Sequence, residues 1–302
     1  MFNQNHNDFE VIVVNDRSTD ETYDFLREYS YTEKRLKVVN INETPYGMSA
    51  KKYALTLGFK AAKNEILLLT DADCLPDTED WISSMATAYV MDGENDVKKN
   101  CQVVLSFSGY FKEKGFLNVL IQYETLFTAL QFLGLANLRI PYMGVGRNLS
   151  YKRSLFFDKG GFKKIMSFIA GDDDLFVQMV ANSKNTSIVI DSRAFTRSIP
   201  KMSWKEYLVQ KKRHLSVGRF YKFRIRLVLG IIFLTQFAFW LFAGYMLTIE
   251  TFVWWVMGVV IFRILERMFL FYRANKVFKT SFAWYWSPFM ELIYIFYYIV
   301  AG

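Results

Sequence analysis

Leu227 to Ile249 is a run of 23 residues in which Gln236 is the one strongly polar side chain. About 20 such residues suffice to cross a hydrocarbon core, so the run is expected to be a transmembrane helix, and it divides the chain. Phe252 to Tyr272 and Phe282 to Ala301 are also long enough, although the former carries Arg263, Glu266 and Arg267 and the latter Pro288 and Glu291. Charges are expensive in lipid, so these two helices are expected to turn their polar faces to protein or to lie partly in the interface. The composition fits this division. Apolar residues make up 52% and aromatic residues 18% of the chain, and they concentrate beyond Leu227.

The formal net charge of +8 is equally localised, because Lys201 to Arg226 holds nine Lys or Arg against one acid, Glu206. A basic stretch directly ahead of an apolar one suits anionic headgroups or the phosphates of a ligand, and not nucleic acid. It also places what precedes it in the cytosol. The expected organisation is therefore a domain over residues 1–200, a basic amphipathic interfacial segment over 201–226, and a transmembrane region over 227–302 with spans at 227–249, 252–272 and 282–301. Cys74 and Cys101 have neither metal-like nor framework spacing, which agrees with a reducing, cytosolic setting. Met1 to Asp8 is polar and the run Val11 to Val14 is short, so no signal peptide is expected.

Within residues 1–200 the apolar pattern alternates between strand and helix periods. Phe9 to Val14 reads as a buried strand, and Asn15 to Asp20 as a turn leading into a helix from about Glu21. Leu36 to Ile41 is strand-like, Ser49 to Ala62 helix-like and Glu65 to Thr70 again a buried strand. A helix capped at Asp77 or Thr78 should run to about Met91, followed by a loop to Asn100 and a strand at Gln102 to Phe107. This alternation implies βαβ units on a mostly parallel sheet, an α/β fold. Phe116 to Leu138 is interrupted by Asn118, Glu124 and Gln131, so it is expected as a buried or interfacial helix and not as a span.

Three constellations carry chemistry. Asp71-Ala72-Asp73 follows a buried strand directly, and ligands of open α/β sheets bind outside the carboxyl ends of strands. Paired acids with one spacer can share a hard divalent cation that in turn holds nucleotide phosphates. Gly171-Asp172-Asp173-Asp174-Leu175 precedes a helix, where one acid would suffice as a cap. Repulsion within the triplet should raise the pKa of at least one member, as a general base working near neutral pH requires. Gln210-Lys211-Lys212-Arg213-His214 reads as part of an interfacial helix anchored by Trp204 and Tyr207, with Lys205, Lys211 and Lys212 serving the lipid surface. Arg213 stands apart in combination with the acids, because a pyrophosphate leaving group needs fixed positive charge.

Asn15 to Asp20, Asp71-Ala72-Asp73, Gly171 to Asp173 and Gln210 to Arg213 occur in the order seen in family 2 glycosyltransferases. From Phe9 to Tyr221 the chain resembles the membrane-bound branch with hyaluronan, chitin and poly-N-acetylglucosamine synthases and ceramide glucosyltransferases. The resemblance implies a GT-A fold, Rossmann-like, that uses Mg²⁺ or Mn²⁺ and a nucleoside diphosphate sugar, a UDP-sugar foremost. The acceptor is expected to be a lipid or glycan of the cell envelope, and the protein a multi-pass protein of the cell membrane.

Carried over by residue, the resemblance gives Asp16 the donor base and Lys51 or Lys52 a nucleotide contact on the neighbouring helix. Asp71 would lie near ribose and metal, Asp73 would ligate the metal, Gln210 and Arg213 would serve the diphosphate, and Asp173 would be the base. Counting from Leu175 selects Asp172 instead, and Asp174 completes the candidates. Gly144 to Asn148 and Gly160-Gly161-Phe162 resemble acceptor-side loops, or else are turns that need glycine. Two departures stand out. His214 replaces the family's tryptophan, which speaks against a processive synthase. The family's domain also begins with a strand and loop ahead of Phe9, so the domain is expected to be N-terminally incomplete. The competing expectation is a non-catalytic, nucleotide-sugar-binding component of a membrane glycan-synthesis complex.

Overall fold

The computed structural model of the chain describes residues 1–90 and 100–301. The chain divides into two compact units, one of residues 1–108 and 132–198 and the other of residues 109–131 and 199–302.

The first unit opens with β1 (Val11–Asp16), α1 (Thr22–Thr32) and β2 (Leu36–Ile41), and β1 and β2 pair in parallel from Val11 opposite Leu36 to Asp16 opposite Ile41. The β-branched run of β1 favours extended backbone, and α1 packs back to give the βαβ unit. α2 (Ala50–Ala61) and β3 (Ile66–Leu69) follow, within one residue of the ranges expected from periodicity. β5 (Val103–Ser106) is buried along its length, as a central strand should be.

The expected mostly parallel sheet needs correction. β7 (Leu149–Lys152) lies between β3 and β5 and runs antiparallel to both, while β8 (Thr186–Val189) pairs parallel with β5, giving the order β3-β7-β5-β8. The unit is thus α/β with mixed sheets. β1 and β2 form a sheet of their own, and a cavity of about 500 Å³ separates β1 from β3. Strand direction is decided by where each connection returns, which apolar periodicity does not encode.

A second correction concerns Cys74 to Pro76. This segment is β4, antiparallel to β9 (Thr196–Ser198), and the next helix, α3, covers only Trp81–Ala86. Asp77 does not cap it. Its carboxylate pairs with Arg197 at 3.0 Å, and the Thr78 hydroxyl donates to the Arg193 carbonyl at 2.9 Å. The expected continuation to Met91 is corrected as well, because residues 87–90 form a turn in which the Tyr89 N–H donates to the Ala86 carbonyl at 2.9 Å, while residues 91–99, with most of the expected loop, lie outside those described.

Beneath the sheet, Phe59, Phe156, Phe162 and Phe176 form an aromatic cluster with ring centroids 4.8 to 6.4 Å apart. Most of these contacts are edge-on, the geometry the ring quadrupole favours. α5 (Arg153–Asp158) supplies Phe156, and the chain leaves it through Gly160 and Gly161 at φ +78° and +57°. A Cβ on Gly161 would stand 2.8 Å from the Phe156 ring, so this glycine pair is a turn that the core requires. A short strand, β6 (Ser108–Tyr110), precedes α4 (Phe116–Asn137). Tyr123, Leu126, Ala129, Phe132 and Leu133 of α4 are buried, as expected of a core helix.

The second unit is helical. It comprises α4 as far as Gln131, then α7 (Trp204–Gly218), α8 (Phe223–Met246), α9 (Val253–Phe278) and α10 (Ser287–Ala301), α6 being a short helix of the first unit at Asp174–Val180. Tyr123 stacks on Phe271 at 4.8 Å, and Phe127 meets Tyr294 edge-on at 5.5 Å. The charges of α9 turn inward. Arg263 and Arg267 each reach Glu291 Oε1 at 2.6 Å, and Trp240 Nε1 donates to Glu291 Oε2 at 3.4 Å. α8, by contrast, leaves Leu227, Ile231, Leu234, Leu241 and Phe242 exposed. Among the described residues α4 and α8 are long and apolar enough to cross a membrane, whereas α9 and α10 do not meet that measure.

Candidate active site

The residues singled out from sequence sort into three groups. At the carboxyl end of β1 the buried Asn15 organises the turn: its amide donates to Asn40 Oδ1 at 3.1 Å, and its Oδ1 accepts from the backbone and hydroxyl of Ser18. Arg17 takes the left-handed conformation at φ +60°, and Asp20 accepts the Thr22 N–H at 3.1 Å to start α1. Asp16, beside them, is left partly exposed and pairs with Arg17 at 2.8 Å.

The second group lies at the end of β3. Asp71 and Asp73 sit on a turn closed by the Cys74 N–H donating to the Asp71 carbonyl at 3.0 Å. Asp71 is half-buried and Asp73 exposed. Across from them the acidic triplet enters α6 through Gly171, whose φ of +96° and contact with Leu175 admit no side chain: a Cβ there would be 2.6 Å from Leu175 Cδ1. Asp173 then caps α6, its Oδ1 accepting the Asp174 N–H at 2.8 Å and its Oδ2 the Gly146 N–H at 3.0 Å. Asp174 accepts the Leu175 N–H at 2.7 Å and is buried, so it serves the helix start.

Lys51 joins the two acidic motifs. Its ammonium stands 3.3 Å from Asp71 Oδ1 and 3.0 Å from Asp172 Oδ2, so acids from loops far apart in sequence share one cationic partner. Although burial opposes it, the charges of Asp172, Asp71 and Asp173 push the Lys51 pKa above its ordinary value. Burial, followed by the charges of Asp172 and Asp174, raises Asp173 to about 7, against the pull of Lys51 and the Gly146 N–H. A carboxyl so placed can hold or accept a proton near neutral pH. Lys51, Asp71, Asp172 and Gly146 also line the cavity of about 500 Å³ between β1 and β3.

Lys52 does not face this cavity. It is fully buried, and its Nζ donates to the carbonyls of Phe168 at 2.6 Å and Ala170 at 2.7 Å. Of the two lysines named from sequence, only Lys51 can approach a ligand. Asn148 is likewise committed to structure, accepting from Trp81 Nε1 at 3.1 Å and donating to the Phe107 and Ala194 carbonyls at 2.7 and 2.8 Å.

The third group belongs to the second unit. Gln210 is half-buried and Arg213 exposed on α7. The lipid-facing role expected of Lys211 is corrected: its ammonium lies 2.7 Å from Glu124 Oε2, which also accepts the Tyr207 hydroxyl at 2.8 Å. Glu124 looked like a mere interruption of an apolar helix, and pairing across the fold is what gives it a purpose. Burial and Glu124 together raise the Tyr207 pKa, so its hydroxyl keeps its proton and remains the donor.

Among the described residues no three His, Cys, Asp or Glu side chains stand close enough to enclose a metal. A Mg²⁺-like ion bound through one or two carboxylates and substrate phosphates needs no such cage. The Lys51 ammonium between Asp71 and Asp172 marks where a cation is favoured, so the donor set fits such an ion.

The Probable glycosyltransferase YdaM of Bacillus subtilis (strain 168) is 25% identical over 246 residues, covering 77% of this chain and 55% of the relative. The chain thus spans about half the length of the curated relative it matches. Among solved structures, a mannosyltransferase from Pyrobaculum calidifontis in complex with GDP-Man and Mn²⁺ is 21% identical at a TM-score of 0.48, covering 71% of this chain and 55% of that one. Glucosyl-3-phosphoglycerate synthase from Mycobacterium tuberculosis is 13% identical at a TM-score of 0.35, covering 65% and 62%. Residues 1–133, which hold β1 to β6 and the Asp71 turn, match the family described as Glycosyl transferase family 2.

Proposed function

We propose that the protein is a membrane-anchored, inverting glycosyltransferase that moves a sugar from a nucleoside diphosphate sugar to a hydroxyl of a lipid or glycan acceptor. The observation that carries this reading is the convergence of Asp71 and Asp172 on the Lys51 ammonium at 3.3 and 3.0 Å. Asp71 of the strand-end turn and Asp172 of the triplet line one cavity, which supports a displacement at a single carbon.

In this reading Asp71 and Asp73 hold Mg²⁺ or Mn²⁺, which when bound neutralises charge on the departing diphosphate. Asp16 and Lys51 receive the nucleotide, with a UDP-sugar as the first donor to try. Asp173 takes the acceptor proton. Its raised pKa suits that task, and its hydrogen bond from the Gly146 N–H fixes the carboxylate. Asp172 holds Lys51 in place. The family resemblance alone nominates Gln210 and Arg213 for the diphosphate, Arg213 as a fixed positive charge.

Membrane anchoring is supported by α8, whose apolar side chains are exposed along a helix long enough to span, and by the basic α7 that precedes it. Arg263, Glu266, Arg267 and Glu291 neutralise one another within the second unit, which makes α9 and α10 tolerable beside lipid. The basic segment ahead of α8 supports a cytosolic position for the catalytic domain at the cell membrane.

The test is turnover of labelled nucleotide sugars by membranes holding wild type, Asp73→Ala or Asp173→Asn. Transfer by wild type and its loss in both variants is expected. Equal turnover in all three removes the catalytic assignment, and donor binding without transfer by wild type selects the reading of a non-catalytic nucleotide-sugar-binding component.

A further inference from the structure

Lys52 is a fully buried cation within the field of three aspartates, yet it pairs with none of them. Burying an ammonium is costly unless its donors are satisfied, so its placement calls for a compensating structural return. Its partners show what that return is. The Phe168 and Ala170 carbonyls belong to the segment that delivers the acidic triplet, and both bonds are short, at 2.6 and 2.7 Å. Charge-assisted bonds of that length are roughly twice as strong as neutral ones.

The surrounding contacts point the same way. Ser49, just ahead of α2, donates its N–H to the Met166 carbonyl at 2.9 Å, and Lys51 grips Asp172 at 3.0 Å. The first turn of α2 therefore holds the segment 166–172 at three places, Met166, the Phe168 and Ala170 carbonyls, and Asp172. On either side of Asp172, Gly171 and Asp173 fix the entry to α6. A segment tied so closely to α2 cannot shift without moving Asp173.

We propose that Lys52 is a positioning residue for the general base: by clamping the Phe168 and Ala170 carbonyls to α2 it sets where the Asp172 to Asp174 carboxylates stand relative to the Asp71 turn. The role in turnover rests on the glycosyltransferase reading above, whereas the clamp itself does not. Because Lys52 has no exposed surface, it acts on the reaction only through this segment.

Two measurements on the full-length chain in detergent test this. Amide hydrogen exchange over residues 166–177 needs no substrate, and Lys52→Met, which keeps the stem and removes the donors, is expected to speed exchange there while leaving residues 103–106 of β5 unchanged. In the transfer assay the same variant is expected to lose about 100-fold in kcat, the scale of a small misplacement of a reacting group, with the donor KM unmoved. Lys52→Gln retains two N–H donors and should fall between wild type and Lys52→Met in both measurements. If Lys52→Met does not fold, Lys52→Gln carries the comparison. Unchanged exchange over 166–177 overturns the clamp, and a raised donor KM at unchanged kcat overturns the positioning role by making Lys52 a donor-binding residue. If wild type shows no transfer with any donor, the glycosyltransferase reading fails while the exchange result still decides the clamp.

Discussion

Replacing Asp173 by Asn should make the protein both less active and more stable, a pairing that distinguishes a strained catalytic acid from a helix cap. Burial and the charges of Asp172 and Asp174 lift the Asp173 carboxyl from 3.8 to about 7, a difference equivalent to about 4 kcal/mol between its protonation states. Since the folded-state value is the raised one, the folded protein retains a proton between about pH 4 and 7 that the unfolded chain has released. Stability therefore falls as pH climbs through that interval and stays at its lower level above it.

Asn carries no charge and keeps one acceptor oxygen, so it forgoes one of the two N–H bonds from Gly146 and Asp174, at about 1 kcal/mol. At pH 8 Asp173→Asn should then be more stable than wild type by up to about 3 kcal/mol, with the advantage gone near pH 4. Thermal or denaturant unfolding at the two pH values reads this directly. The same variant should lose about 10² to 10⁴ in kcat, and wild-type kcat should rise with pH through about 7 as the base ionises. A variant that is destabilised at pH 8, or that keeps the wild-type pH profile, would refute the reasoning.

The acidic motifs were more legible in the sequence than the topology that frames them. Asp71-Ala72-Asp73 and the Asp172 triplet could be located because acids directly after a buried strand, or three in a row before a helix, have few structural uses. Their meeting point could not be read. Lys51 and Lys52 are adjacent and chemically alike, yet one bridges two acids and the other is buried on two carbonyls, a difference set by the phase of α2 against a segment more than a hundred residues away. β4, β7 and β9 went unforeseen for a related reason: strands of three or four residues show no period, and antiparallel partners are fixed by long-range register. Periodicity did locate β1, β2, α2 and α8, whose apolar spacing is local. Arg263 and Arg267 were rightly expected to seek protein partners, because a charge in an apolar helix has few other options.

Other perturbations have equally definite outcomes. Glu124→Ala leaves the Tyr207 hydroxyl and the Lys211 ammonium without their shared acceptor, and should cost about 3 kcal/mol in unfolding free energy, with Glu124→Gln recovering part of it; a change within experimental error would show the pair to be solvent-screened. Glu291→Gln removes the charge that Arg263 and Arg267 share at 2.6 Å, and should lower the midpoint of thermal unfolding in detergent more than Glu266→Gln does. Gly171→Ala places a Cβ against Leu175 at φ +96°, a strain of about 1 to 3 kcal/mol, and should slow turnover as well as lower stability; unaltered kcat would mean that the triplet tolerates movement.

The most direct measurement is a titration of the purified chain with Mn²⁺ in the presence of a nucleoside diphosphate, following the electron paramagnetic resonance of the free ion. Wild type and Lys51→Met should both withdraw Mn²⁺ from solution, while the double variant Asp71→Asn, Asp73→Asn should leave the free-ion signal at its protein-free level. Equal uptake by the double variant and wild type would contradict the claim that these strand-end acids and the Asp172 triplet face one cation site.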